Sequence, residues 1–167
     1  MTNKEQPLWL ETAMKCDGPS LLRYVQRWVS FELAQEIVQE SFLKLWQLGP
    51  EVTEMKRREW LFCVCRHRAF DHLRKESRMN RSSTIEDEVP ADPEQNPDRQ
   101  MERRQTETQL DRVMDKLTMN EKEVLRLKFQ EGFSYKQISD ITGHSVSHVG
   151  VLIHEALKKI KNERASL

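Results

Sequence analysis

Apolar residues recur every three or four positions along much of the chain, which is typical of helices with one buried face. In the first third, this spacing predicts a short helix over residues 8–15, a turn over 16–20 and a helix over 21–29. A longer helix is predicted over residues 31–48, where a Gly-Pro pair ends it. The pattern therefore favours an all-α protein.

The next predicted helix begins near Glu59, after a charged connector over residues 50–58. One face of it is apolar and is predicted to point into the core: Leu61, Val64, Cys65, Ala69 and Leu73. The opposite face carries cations spaced four apart with an aromatic ring among them: Arg66, Phe70, Arg74 and Arg78. Such cations can follow the phosphates of a single strand, and rings can stack on its unpaired bases. Taken alone, a solvated amphipathic helix is the simpler interpretation.

The last third of the chain carries the capping and turn signals of a helix-turn-helix. Thr118 or Asn120 can cap one helix, and residues 134–137 have the spacing of a capping box that opens a second, short one. Gly143 then allows a tight turn before a longer helix over residues 146–161. A short helix, a turn and a longer helix form the outline in which the last helix enters the major groove of DNA.

The charge distribution separates the two helical regions. The formal net charge is zero, yet residues 56–81 hold nine basic and three acidic residues, while residues 82–98 hold six acidic and no basic ones. The acidic stretch also contains three prolines and cannot bury enough apolar surface to fold alone. We therefore predict two small helical domains, residues 1–81 and 110–167, joined by an acidic flexible linker over residues 82–109.

The sequence gives little support for metal binding or catalysis. The three cysteines have no CxxC spacing, and Cys63 with His67 supplies two potential ligands, which do not make a metal site. We predict no metal, no cofactor and no catalytic residue, because the sequence shows no Ser/His/Asp or Cys/His order with supporting motifs, no metal-ligand cluster and no phosphate-binding glycine loop. Without a membrane-length apolar run or a leader-like segment, we predict a cytoplasmic protein with no membrane insertion.

Three motifs resemble those of one family. EIVQESFLKLW (36–46) resembles the polymerase-binding helix of bacterial sigma factors, and EWLFCVCRHRAFDHLRK (59–75) resembles their promoter-melting helix. LTMNEKEVLRLKFQEGFSYKQISDITGHSV (117–146) resembles their C-terminal helix-turn-helix. Their order and separation are similar to those of the extracytoplasmic-function (ECF, group IV) RNA polymerase sigma factors. The resemblance implies a non-enzymatic subunit that binds core RNA polymerase, directs it to specific promoters and promotes DNA melting.

The resemblance also implies roles for individual residues. Contacts with core polymerase, at the clamp helices of its largest subunit, are expected from Glu36, Gln39, Glu40, Phe42 and Trp46, although a place in the core suits Phe42 equally well. Minus-ten DNA is expected to contact Arg57, Arg58, Trp60, Arg66, His67, Phe70, Arg74 and Arg78. The connector over 48–59 is expected to capture a flipped base.

Minus-thirty-five DNA is expected to contact Tyr135, Lys136, Ser145, Ser147, His148, Val151 and His154. The recognition helix departs from the family, because Gly150, Leu152 and Glu155 occupy positions where basic residues are expected. Its predicted inward stripe is Val149, Ile153, Ala156 and Ile160, and Leu152 is a further core candidate.

Several alternatives stay open at this point. The acidic linker is either a solvated tether or a segment that threads the RNA exit path of the polymerase, and its one-sided charge favours the second. A helix-turn-helix regulator that does not act as a sigma subunit is the alternative function, and a small helical nuclease is a weaker one. The expected partners are core polymerase, including its flap, and promoter DNA. An anti-sigma protein that holds the two domains together is a further candidate.

Overall fold

The chain divides into two compact units, Met1–Pro93 and Glu94–Leu167, in a computed structural model that describes residues 7–51, 54–80 and 109–166. The helices of the first unit are α1 (Leu8–Val25), α2 (Phe31–Leu48) and α3 (Glu54–Asn80). Those of the second are α4 (Gln109–Asp115), α5 (Met119–Leu125), a π-helical turn (Arg126–Gln130), α6 (Tyr135–Thr142) and α7 (Val146–Ala165). The described residues form no strand, so the predicted all-α class is confirmed.

The core of the first unit lies where α1, α2 and α3 meet. Its fully buried side chains include Leu21, Val25, Ile37, Leu45, Leu61 and Phe62. An aromatic cluster joins α1 to α3, since the Tyr24 ring lies 4.7 Å from that of Trp28 and 5.0 Å from that of Phe62. The predicted inner face of α3 is largely confirmed, with Leu61, Cys65 and Ala69 buried and its other members half-buried.

The turn predicted over residues 16–20 is wrong, because α1 runs without a break through Pro19. A proline inside a helix removes one hydrogen bond and costs about 3 kcal/mol. The buried face of α1 offsets this cost: its members recur every three or four residues, and each large apolar one contributes roughly 1.5–3 kcal/mol. They are Leu10, Ala13, Asp17, Leu21, Tyr24 and Val25. Burial against α2 and α3 therefore outweighs the local turn signal.

The boundaries of α2 are those predicted, but α3 begins earlier. At the start of α2 the Leu33 N–H donates to Ser30 Oγ, and at its end Gly49 adopts a φ of 85°. The segment 54–58, predicted as connector, is instead the first turn and a half of α3. The predicted base-capturing loop is accordingly shorter, and residues 52 and 53 lie outside the described part of the chain.

Local capping signals shape the second unit as predicted. Thr118 and Ser134 each form a capping box with the residue three positions on, and the Ser145 hydroxyl accepts from the His148 N–H. Gly143 takes the left-handed conformation between α6 and α7. The inward stripe of α7 is confirmed at Val149, Ile153 and Ala156, which are buried, while Ile160 and Leu152 are half-buried.

Candidate nucleic-acid interface

The outward face of α2 carries a stripe of polar side chains with Leu43 among them. Glu36, Gln39 and Glu40 are exposed, as expected for the predicted polymerase contact. Phe42 is 4% exposed, so of its two possible places the structure shows the core. Leu43 is 55% exposed and follows Gln39 by one turn, although the sequence analysis did not single it out. We call Glu36, Gln39, Glu40 and Leu43 the α2 stripe; Trp46 lies half-buried beyond it.

An ion pair ties the α2 stripe to α3. The Glu40 carboxylate contacts the Arg68 guanidinium, and both side chains are partly exposed. Below this pair the Cys65 thiol donates to Ser41 Oγ at 3.2 Å, and the Ser41 hydroxyl donates to the Ile37 carbonyl at 2.7 Å. Burial raises the pKa of the Cys65 thiol to about 11. The thiol therefore stays protonated near neutral pH and acts as a core side chain.

The row of Arg66, Phe70, Arg74 and Arg78 predicted on the outer face of α3, here called the ladder, is only partly exposed. The Phe70 ring is 7% exposed and packs edge-on against Trp28, with the centroids 5.1 Å apart. The Arg66 guanidinium lies 4.2 Å from the Phe70 centroid and covers the ring from outside. The expectation that Phe70 offers an open face for stacking is therefore wrong. The ring is buried because Trp28, which lies 42 positions earlier in the chain, packs on it.

Arg57 and Arg58 point towards α1 and not along the ladder of α3. Each Nε lies 3.7 Å from a carboxylate oxygen of Asp17, which is buried, and the two arginine side chains are 14% and 30% exposed. The Arg58 guanidinium also lies 5.4 Å from the centroid of the Phe62 ring. Trp60, at the edge of the ladder, is half-buried. The predicted DNA contacts of these residues stay predictions, and the structure gives the two arginines a second role in joining helices.

The open cationic surface of the first unit lies further along α3. His67, Arg74, Lys75 and Arg78 are exposed there. Asp71 and the exposed Glu76 are the nearby acids, and the Asp71 carboxylate lies 3.9 Å from His67 Nε2 and 3.7 Å from Arg74. Beside them is a groove of about 450 Å³ lined by Lys44, Cys63, Val64, His67, Arg68, Asp71, His72 and Lys75. Cations outnumber carboxylates in this lining, so the groove favours anionic groups such as phosphates.

The predicted contacts of the second unit share one exposed surface around the turn between α6 and α7. All seven are exposed: Tyr135, Lys136, Ser145, Ser147, His148, Val151 and His154. The Tyr135 ring lies over Gly150, where a Cβ would meet ring atom Cε2 at 3.7 Å, and Lys128 Nζ is 5.4 Å from the ring centroid. No local sequence signal predicts that α6 places an aromatic ring beside the backbone of α7.

The structure shows neither a metal centre nor a spanning helix in the part of the chain it describes. Within residues 7–51, 54–80 and 109–166, no cluster of three or more His, Cys, Asp or Glu side chains is suited to a metal ion. No helix among these residues is long and apolar enough to cross a bilayer. What remains is a cationic helical surface on one unit and a helix-turn-helix on the other, which together define a helical nucleic-acid-binding protein.

Comparison with known proteins identifies the family. Residues 14–79 match the family model described as Sigma-70 region 2, and residues 107–160 match that described as Sigma-70, region 4. The chain belongs to the sigma-70 family and is a sigma factor of the extracytoplasmic-function type, which directs core RNA polymerase to promoters. The match of residues 14–79 favours this function over that of a helix-turn-helix regulator, because the latter leaves the first unit unexplained.

A solved structure has the same fold. It is that of the sigma factor RpoE in complex with the anti-sigma factor NepR from Bartonella quintana, with a TM-score of 0.62 and 16% sequence identity. The alignment covers 93% of this chain and 96% of that one. At this identity the likeness concerns the fold. A search of curated protein sequences finds no match to the chain.

Proposed function

We propose that the two faces of the first unit divide the work of a sigma factor. The α2 stripe binds core RNA polymerase, with Leu43 as its apolar anchor and Glu36, Gln39 and Glu40 as polar contacts. The exposed cationic side chains of α3 bind the phosphates of the separated minus-ten strand. The second unit contacts the minus-thirty-five element through α7. The domain limits stay as predicted, residues 1–81 and 110–167 with a linker over 82–109.

One observation supports this division above all. Within a single three-helix core, the polar stripe with its exposed leucine lies on α2, and the open cations lie on α3. The Glu40–Arg68 pair joins the two helices where these faces meet. Arg74, Lys75 and Arg78 lie further along α3, so docking through the α2 stripe leaves them accessible to DNA, as a subunit that binds polymerase and DNA together requires. The sigma-70 family is not a family of enzymes, and we propose no catalytic step for this chain.

Further partners follow by analogy. The similar structure from Bartonella quintana contains an anti-sigma factor, and we propose a protein of that kind as a regulator of this chain. The acidic linker lies almost entirely outside the described residues. Its passage through the RNA exit path, and a contact of the second unit with the polymerase flap, stay part of the proposal.

The experiment separates polymerase binding from promoter opening. Full-length protein is bound to core polymerase, and opening of promoter DNA is followed by permanganate footprinting. Arg74→Ala with Arg78→Ala is expected to retain polymerase binding and to lose opening, because two phosphate contacts are removed from an exposed face. Lys15→Ala with Arg23→Ala removes the same charge from the exposed side of α1 and should change neither. Normal opening by the α3 variant would contradict the assignment of this face.

A further inference from the structure

The outward face of the recognition helix has an unusual chemistry. Opposite the buried Val149, Ile153 and Ala156, the α7 face carries exposed Ser147, Val151, His154 and Glu155, with Lys158 one turn beyond His154. Val151 lies at its centre and is 55% exposed. A branched apolar side chain at the middle of a solvent-facing helix contributes nothing to the core of its own unit.

Cations are missing from the same stretch of sequence. Residues 146–157 of α7 include no Lys or Arg, and Glu155 follows Val151 by one turn. The commonest specific contact in the major groove, an Arg or Lys with the O6 and N7 acceptors of guanine, is therefore not available to this part of the helix. Gly150 offers no side chain either, and the Tyr135 ring lies beside it.

Base chemistry then decides what such a face can recognise. Among the four bases, thymine alone presents a methyl group in the major groove, and apolar side chains contact it. We propose that Val151 recognises the C5-methyl group of a thymine in the minus-thirty-five element, in place of a guanine contact by arginine. This inference rests on the proposed function of the second unit as the DNA-reading domain.

The contribution of the thymine methyl group to binding affinity can be measured. Burying one methyl group is worth about 0.8 kcal/mol, which corresponds to about a fourfold change in affinity. Deoxyuridine pairs as thymidine does but lacks the methyl group. Replacing the critical thymidine by deoxyuridine should therefore weaken binding about fourfold without altering any hydrogen bond.

The test uses the holoenzyme of core polymerase and full-length protein. A promoter library randomised over the minus-thirty-five element first yields the preferred sequence. Each thymidine on either strand is then replaced singly by deoxyuridine, and affinity is measured at fixed salt. One position should show the fourfold loss. Val151→Ser should bind the thymidine and deoxyuridine sites equally, while Val151→Thr, which keeps one methyl group in the same shape, should retain part of the difference.

A matched control lies on the same helix. Leu157→Ser makes a similar polar change at an exposed position about a turn and a half beyond Val151 and should keep the full difference. Equal binding of the two sites by the unaltered holoenzyme, a preferred sequence without thymine, or an undiminished difference in Val151→Ser would each overturn the inference. Loss of sequence selection altogether would instead contradict the proposed function of the second unit.

Discussion

Asp17 Oδ2 lies 3.7 Å from Arg57 Nε, so a buried carboxylate on α1 faces a guanidinium on the first turns of α3. The same carboxylate lies 3.7 Å from Arg58 Nε. Removing one member of a buried pair is costly, because the charge that remains loses its partner. Two residues that the sequence suggested as DNA contacts therefore also join the beginning of α3 to α1.

Asp17→Asn should lower the free energy of unfolding by about 1–3 kcal/mol, less than a fully buried pair because both arginines are partly exposed. Denaturant unfolding of the full chain measures this. Glu11→Gln alters an acid on the same helix whose pair with Lys15 is exposed, and it should leave the unfolding midpoint unchanged. Equal effects of the two substitutions would mean that the buried pair is not stabilising.

Substitutions of two adjacent residues on α2 should affect different properties of the protein. Leu43→Asp should weaken binding to core polymerase at least tenfold while stability is retained, because the side chain is largely exposed. Phe42→Ala should instead lower the free energy of unfolding by about 3–5 kcal/mol, since it leaves a cavity. Affinity measurements combined with thermal unfolding distinguish the two effects. Unchanged affinity in Leu43→Asp would remove the leucine from the docking surface.

The Cys65 thiol should make stability depend on pH in the alkaline range. Its folded pKa is raised from 9.0 to about 11, so the folded state binds the proton more tightly than the unfolded chain does. The resulting contribution, about 2–3 kcal/mol, is complete below pH 9 and is lost as pH rises towards 11. Cys65→Ala should flatten the decline in unfolding free energy over this window relative to the parent protein. Cys16→Ala, at an exposed thiol, should leave the decline as it is.

Glu121 should contribute more to stability than Gln137, which holds the same position in the second capping box. Its carboxylate accepts from the Thr118 N–H at 2.9 Å and also pairs with Lys159 of α7 at 2.9 Å, so it joins two helices. Glu121→Ala should cost roughly 1–3 kcal/mol of unfolding free energy. Gln137→Ala in the second box removes only the capping bond to Ser134 and should cost about 0.5–1 kcal/mol. The order of the two unfolding midpoints tests this, and a reversed order would contradict it.

A charge reversal on the recognition helix should change affinity and its salt dependence together. Glu155→Lys adds a cation to the α7 face, so binding to duplex DNA should strengthen severalfold at low salt whatever the sequence. The slope of log affinity against log salt should steepen by about one. Titrations at several salt concentrations provide the measurement, with Glu11→Lys on α1 as the charge control. An unchanged slope would place Glu155 away from the phosphates.

Local signals predicted the structure well wherever a few neighbouring residues decide the outcome. The limits of α2 and the caps at Thr118, Ser134 and Ser145 follow from such signals, because each cap bonds an N–H three residues away. The continuity of α1 through Pro19 could not be predicted in this way, since distant residues of α2 and α3 bury its inner face.

Among the site residues, too, features set by local sequence were predictable and features set by distant residues were not. Exposure of the contacts predicted on α7 follows from helical periodicity alone. The burial of Phe70 depends on Trp28, in the segment between α1 and α2, and the inward direction of Arg57 depends on Asp17 of α1. Helical spacing within α3 carries no information about these partners.

The contact between Tyr135 and Gly150 makes recognition a property of two helices. Transplanting only α7 from another sigma factor, with arginine at position 150, would place a long side chain beside the tyrosine ring, where a Cβ would already be in van der Waals contact with it. Transplanting α7 of this chain elsewhere would leave Gly150 without that ring. Promoter specificity in engineered hybrids should therefore be exchanged as the whole segment from Ser134 to Ala165.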